Sequence, residues 1–177
     1  FAFISPIEFH NIEDVIPMLY EDGKTPLILV LDRITDVRNF GAITRTAECA
    51  GVNAILIPEQ NSAAINADAM KTSAGAMHKA TICRTWNLKL ALQFMKESGI
   101  QIIACTEKSK TNIYQASYTS PTAIIIGSEE DGVSPEFLKI CNSSAKIPMF
   151  GEISSLNVSV AAGIILYEAT RQRKNTV

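Results

Sequence analysis

Six short apolar runs punctuate the chain, with longer segments of helical periodicity between most of them. The first, LILVLD at 27–32, stays apolar until its last residue. Similar runs recur at 54–57 (AILI), 81–85 (TICRT), 101–105 (QIIAC), 122–127 (TAIIIG) and 145–148 (AKIP). Continuous apolarity, in place of the alternation of a half-wet strand, marks strands covered on both faces.

The intervening segments predict helices. NFGAITRTAECAG at 39–51 is rich in Ala and Thr and ends on a glycine suited to a helix C-cap. Residues 66–77 read as a looser helix around TSAGA. In 87–98, Leu88, Ala91, Leu92 and Met95 fall at i, i+3, i+4 and i+7, one apolar stripe closed by Gly99. Ser134-Pro135-Glu136 has the form of an N-cap followed by proline at the first helical position. A long final helix is expected over 156–172, with Val160, Ala161, Ile164, Ile165 and Glu168 along one side and Ser154 or Ser155 as its cap.

This alternation predicts an α/β fold, a mostly parallel sheet with helices on both faces. Ligands of such sheets bind in loops at the carboxyl ends of strands. Those loops are 32–39, 106–111, 127–132 and 148–157, and the polar and glycine-rich segments fall there. Residues 1–25 read as a linker plus a leading helix.

Composition narrows the class. Of 177 residues, 47% are hydrophobic and 19% charged, which fits one packed domain and excludes disorder. The formal charge of −2 gives no overall basic footprint for nucleic acid. A nucleic-acid binder with this balance would need its cations clustered on one face or another domain to supply the affinity. Cys49, Cys83, Cys105 and Cys141 form no CxxC pair and only two histidines exist, so no metal site is expected. The cysteines read as buried free thiols in a reducing, cytoplasmic setting. No apolar run approaches the about 20 residues needed to span a membrane.

Three segments carry candidate chemistry. In the first, Asn39 and Arg45 lie six positions apart, about 600° of helical rotation, so they do not share a face. Asn39 reads as an N-cap or an outward-reaching amide, and Arg45 as a solvated charge or a semi-buried cation. In the second, a buried strand runs into Gly127-Ser128-Glu129-Glu130-Asp131-Gly132, three acids that need a partner or an exposed turn. No GxGxxG occurs, so a dinucleotide site of the usual kind is not supported. In the third, IPMFGEISSLN at 147–157 offers several main-chain N–H and C=O groups to a ligand before a strongly apolar helix.

Together these segments read NxGxxxR, GSExxG and IPMxGxxxSLNVSVAAxxxLYExxRQ, in that order. They resemble the three motifs of the SpoU/TrmH family of RNA ribose 2′-O-methyltransferases, over about 27–173. The likeness is closest to the bacterial branch that methylates guanosine in 23S rRNA. Arg33-Ile34-Thr35 departs from the family, which often carries a shorter acidic-proline phrase there.

The resemblance implies a catalytic domain over 26–177 with a deep C-terminal trefoil knot, working as a homodimer. Residues 1–25 then become a linker or the tail of an N-terminal RNA-binding domain. It further implies S-adenosylmethionine as cofactor, leaving as S-adenosylhomocysteine, in a pocket lined by Thr106, Gly127, Ser128, Ile147, Met149, Leu156 and Asn157. The catalytic set it implies is Arg45, Asn39, Glu129, Ser155 and Asn157. Arg45 would stabilise developing charge on the 2′-oxygen rather than act as a base, because guanidinium stays protonated. Asn39 would position Arg45 or the ribose. Glu129 would fix Arg45 or a dimer contact. Lys108, Lys110, Arg171, Arg173 and Lys174 are surface charges or phosphate contacts. The implied partner is RNA, with rRNA first and tRNA as the alternative, and no metal or membrane. A different class, a catalytically silent RNA-binding ribosome-assembly factor, is opposed by the presence of all five catalytic residues. A generic small-molecule α/β binding protein is opposed by the third motif.

Overall fold

A computed structural model describes residues 7–174; the first six residues of the expected N-terminal segment, and residues 175–177, lie outside them. Strands β1 (Leu27–Asp32), β2 (Ala54–Pro58), β3 (Ile82–Thr85), β4 (Gln101–Cys105), β5 (Thr122–Gly127) and β6 (Ser143–Ala145) form one sheet in the order β3-β2-β1-β5-β4-β6. Every pairing is parallel, and β1 registers Leu27 to Asp32 against Thr122 to Gly127 of β5. All six residues of β1 and of β5 are buried, as their unbroken apolar runs require.

The two-residue period of these strands sorts their side chains into two cores. Leu27, Leu29 and Leu31 join Ile124 and Ile126 on one face, under α2 (Val37–Cys49) and α6 (Val158–Lys174). Ile28 and Val30 join Ala123 and Ile125 on the other, under α1 (Ile12–Glu21), α4 (Leu88–Glu97) and α5 (Pro135–Leu138). The expected α4 stripe is the buried one: Leu88, Ala91, Leu92 and Met95 face the second core, and Asn87 Oδ1 caps the helix through Leu90 N at 3.1 Å. Each of its Leu and Met side chains contributes about 1.5–3 kcal/mol. On α1, Ile12, Ile16 and Leu19 pack into the same core.

Several boundaries differ from the sequence reading. Helix α2 begins at Val37, because Asp36 caps it by accepting from Arg38 N at 2.8 Å and Asn39 N at 3.0 Å. Asn39 is therefore not the cap. The looser helix is shorter, α3 (Ala67–Thr72), broken by Ala74 and Gly75 at positive φ and followed by one 3₁₀ turn (Ala76–His78). Strand β6 occupies Ser143–Ala145 and stops where AKIP was expected to run. The buried side of α6 is Val158, Ala162, Ile165, Leu166, Glu168 and Ala169, whereas Val160 is half exposed. Cys49 is exposed, contrary to the expectation for all four thiols.

Candidate active site

The carboxyl ends of β4 and β5 open into a cleft of about 300 Å³. Thr106 and Glu107 follow β4, Gly127 ends β5 with Ser128 to Glu130 after it, and Ile147, Met149 and Ser154 to Leu156 close the far wall. Six of the seven residues expected to hold a cofactor line it: Thr106, Gly127, Ser128, Ile147, Met149 and Leu156. The seventh, Asn157, is not among the lining residues, though its neighbours Leu156 and Val158 are. Three acids, Glu107, Glu129 and Glu130, line the cleft, and none of its lining residues is a lysine, arginine or histidine. An acidic wall beside Ile126, Ile147 and Val158 suits a ligand with one flat apolar part and one positive charge.

Gly127 lets the loop after β5 turn back on itself. A Cβ there would meet Gly132 C at 2.0 Å and Gly132 O at 2.1 Å, so no larger residue fits without moving backbone. Gly132 N donates to Ser128 O at 2.9 Å and closes the turn.

The three motifs converge at Glu129. Its Oε1 accepts from Asn157 Nδ2 at 3.0 Å, Asn39 Nδ2 at 3.3 Å and Val158 N at 3.3 Å. Asn157 Nδ2 also donates to Asn39 Oδ1 at 3.0 Å. One carboxylate thus ties the start of α2, the loop after β5 and the start of α6. The cap of α6 is Asn157, not Ser154 or Ser155, since Asn157 Oδ1 accepts from Ser159 N at 2.9 Å and Val160 N at 3.4 Å.

Arg45 stands apart. It is exposed on α2, lines no part of the cleft, and its side chain makes no hydrogen bond or ion pair among the described residues. Of the two roles expected for Glu129, fixing Arg45 or a dimer contact, the single chain shows no Glu129–Arg45 bond; Glu129 holds Asn39 and Asn157. The six-residue spacing already denied Asn39 and Arg45 a common face.

Residues 147–156 make no main-chain hydrogen bond among the described residues. Backbone groups at a cleft wall are strong donors and acceptors, left free here for water or a ligand.

Sequence reasoning missed a buried carboxylate. Asp32, 2% exposed at the end of β1, accepts from Ser134 N and Ser134 Oγ, both at 2.7 Å. Ser134 occupies the cap position of α5, but its hydroxyl serves Asp32 instead of capping the helix. The polar end of an apolar run (LILVLD) was the signal. Cys105, also at the wall, is a poor nucleophile: burial pushes its thiol up to about 12. The expected surface cation Arg173 is instead committed to four carbonyls, those of Thr25, Pro26, Tyr118 and Ser120.

The family model for the SpoU rRNA Methylase family matches residues 26–167. This chain belongs to the SpoU rRNA methylase family. A family relative, the 23S rRNA (guanosine-2′-O-)-methyltransferase RlmB of Vibrio parahaemolyticus, is 42% identical over 164 residues, 93% of this chain and 65% of that protein. The chain thus spans a little under two thirds of that relative. Among solved SpoU folds, an A. aeolicus TrmH/SpoU tRNA modifying enzyme superposes with a TM-score of 0.78 at 36% identity, covering 93% of this chain and 85% of the other. The SpoU methyltransferase AviRb of Streptomyces viridochromogenes, in complex with AdoMet, superposes with a TM-score of 0.80 at 27% identity, covering 85% and 62%. Among the described residues no helix is long and apolar enough to cross a membrane.

Proposed function

We propose that this chain transfers a methyl group from S-adenosylmethionine to a ribose 2′-hydroxyl of RNA in the cytoplasm, with guanosine in 23S rRNA as the substrate. The observation that carries the reading is the unspent main chain of 147–156 along the wall of the acidic cleft. The cofactor supplies an electrophilic methyl on a sulfonium. Its adenine suits the apolar wall of Ile147, Met149 and Leu156, with main-chain groups free to read the base edge. Its positive charge suits Glu107 and Glu130.

The chain's own residues divide the remaining work. Glu129, Asn39 and Asn157 hold the three loops in register beside the cleft. Ser155, on the far wall, shapes the entrance. Arg45, with no internal partner, is available to the substrate: its cation beside a 2′-oxygen lowers the hydroxyl pKa and stabilises charge as the O–CH₃ bond forms. The proton leaves to water or a substrate phosphate.

A knotted C-terminal path and a homodimer belong to the same reading. The path is supported by α6 reaching from the cleft to the 116–120 loop, where Gln172 Nε2 donates to Ala116 O at 2.9 Å. The dimer is supported by Phe150, Ile153, Val160 and Tyr167, large apolar side chains left 50–94% exposed near the cleft and along α6.

The test is transfer of labelled methyl from S-adenosylmethionine to unmodified 23S rRNA, 16S rRNA and bulk tRNA, by the wild-type chain and by Arg45→Ala. Label in 23S rRNA that falls by about 100-fold in the variant, with cofactor affinity unchanged, is the expected result. Label in tRNA alone would replace the substrate. Cofactor binding with no transfer to any RNA would favour a silent assembly factor.

A further inference from the structure

Arg33 occupies a backbone position that arginine rarely takes. Its φ is 61°, in the left-handed region. A non-glycine residue there is strained, and such strain persists when the surroundings hold it in place.

The surroundings of Arg33 are specific. Its Nε donates to Asp32 Oδ1 at 3.1 Å, its Nη2 to Gly132 O at 2.9 Å, and its Nη1 to Asp131 Oδ2 at 3.1 Å. Asp32 in turn accepts from Ser134 N and Oγ. One guanidinium therefore spans from the end of β1 to the far limb of the loop after β5. The near limb is already held by Glu129. The hydrogen bonds of Asp32 lift the Arg33 pKa further, so the fork stays charged at any working pH.

We propose that Arg33 is a positioning residue for the cofactor cleft: it staples Asp131 and Gly132 to β1 and so fixes the floor formed by 127–132. The consequence for the cofactor rests on the function proposed above; the staple itself does not. Asp131 is 70% exposed, so its ion pair is screened and weak. The bond to the part-buried Gly132 carbonyl carries most of the effect.

Arg33→Gly is the informative variant, because glycine adopts φ of 61° without strain while the fork is lost. Arg33→Ala loses the fork and keeps the strain. Amide hydrogen exchange is read over 128–134, with β1 and α6 as internal references, and S-adenosylmethionine affinity is read by calorimetry. Exchange over 128–134 is expected to rise about tenfold in both variants and cofactor affinity to fall about tenfold, with references unchanged in Arg33→Gly. Unchanged exchange in Arg33→Gly would sink the staple. Faster exchange with unchanged cofactor affinity would sink its positioning role. If the wild-type chain binds no S-adenosylmethionine, the proposed function fails, and exchange alone still decides whether Arg33 holds the loop.

Discussion

Asn157 and Asn39, 118 residues apart, share a side-chain hydrogen bond of 3.0 Å, and both donate to the same oxygen of Glu129. A motif at the start of α2 and a motif at the start of α6 thus form one polar joint.

Asn157 has two separable duties in this joint. Asn157→Ala removes the cap of α6 and both donors, and should cost about 1–2 kcal/mol by denaturant titration. Asn157→Ser can still cap, so most of that stability should return while methyl transfer stays low. Equal recovery of both would show that Asn157 is only a cap.

Arg173 should matter more for stability than any surface arginine. Burial among four carbonyls pulls its pKa down, although the group remains charged. Arg173→Ala leaves part-buried carbonyls unpaired and should cost about 2–4 kcal/mol, a melting shift on the order of 10 °C. Arg173→Lys, a single point donor, should rescue less than half of it. Calorimetric melting of the three proteins checks this.

The Glu168–Arg171 pair sets a pH dependence. The hydrogen bond from Arg171 holds the Glu168 carboxyl below its usual value of 4.5. A depressed carboxyl pKa contributes stability above the unfolded value and loses it as pH falls through the folded value. Glu168→Gln should therefore melt lower than wild type at pH 7, and the gap should close as pH drops below about 4.5. A gap that persists at pH 3 would assign the effect to packing.

Thiol chemistry should distinguish the four cysteines. Burial pushes Cys83 and Cys105 up to about 12 and Cys141 up to about 11, while Cys49 is exposed. One thiol should react rapidly with a maleimide in the native protein, and Cys49→Ser should abolish that phase. Fast labelling of Cys105 would mean that the cleft wall opens on its own.

Much of this architecture was legible as pattern. Strands such as 27–32 and 122–127 are buried on both faces, and nothing but a continuous apolar run suits them. The α4 stripe was equally plain because only one of its faces is covered. AKIP misled because Ile147 and Pro148 are apolar for a different reason: Ile147 lines the cleft. The α6 stripe blurred because that helix has apolar residues on several sides, Val160 and Tyr167 exposed and Leu166 and Ile165 buried. The motif segments located the cleft, but Asp32, Arg33 and Arg173 act on partners up to 148 residues away, and no local pattern encodes such a partner.

The clasp between Arg173 and the carbonyls of Thr25 and Pro26 has a consequence for assembly. It joins residues 147 and 148 apart in sequence, and even the central β1–β5 pair waits for about 95 intervening residues, from Leu27 to Thr122. Contacts this remote form late and slowly, because loop closure precedes any reward. The wall at 147–156 and the helix that anchors it therefore settle after the sheet. Synthesis reaches α6 only after all six strands, so the sheet can form as a scaffold before this helix docks onto it.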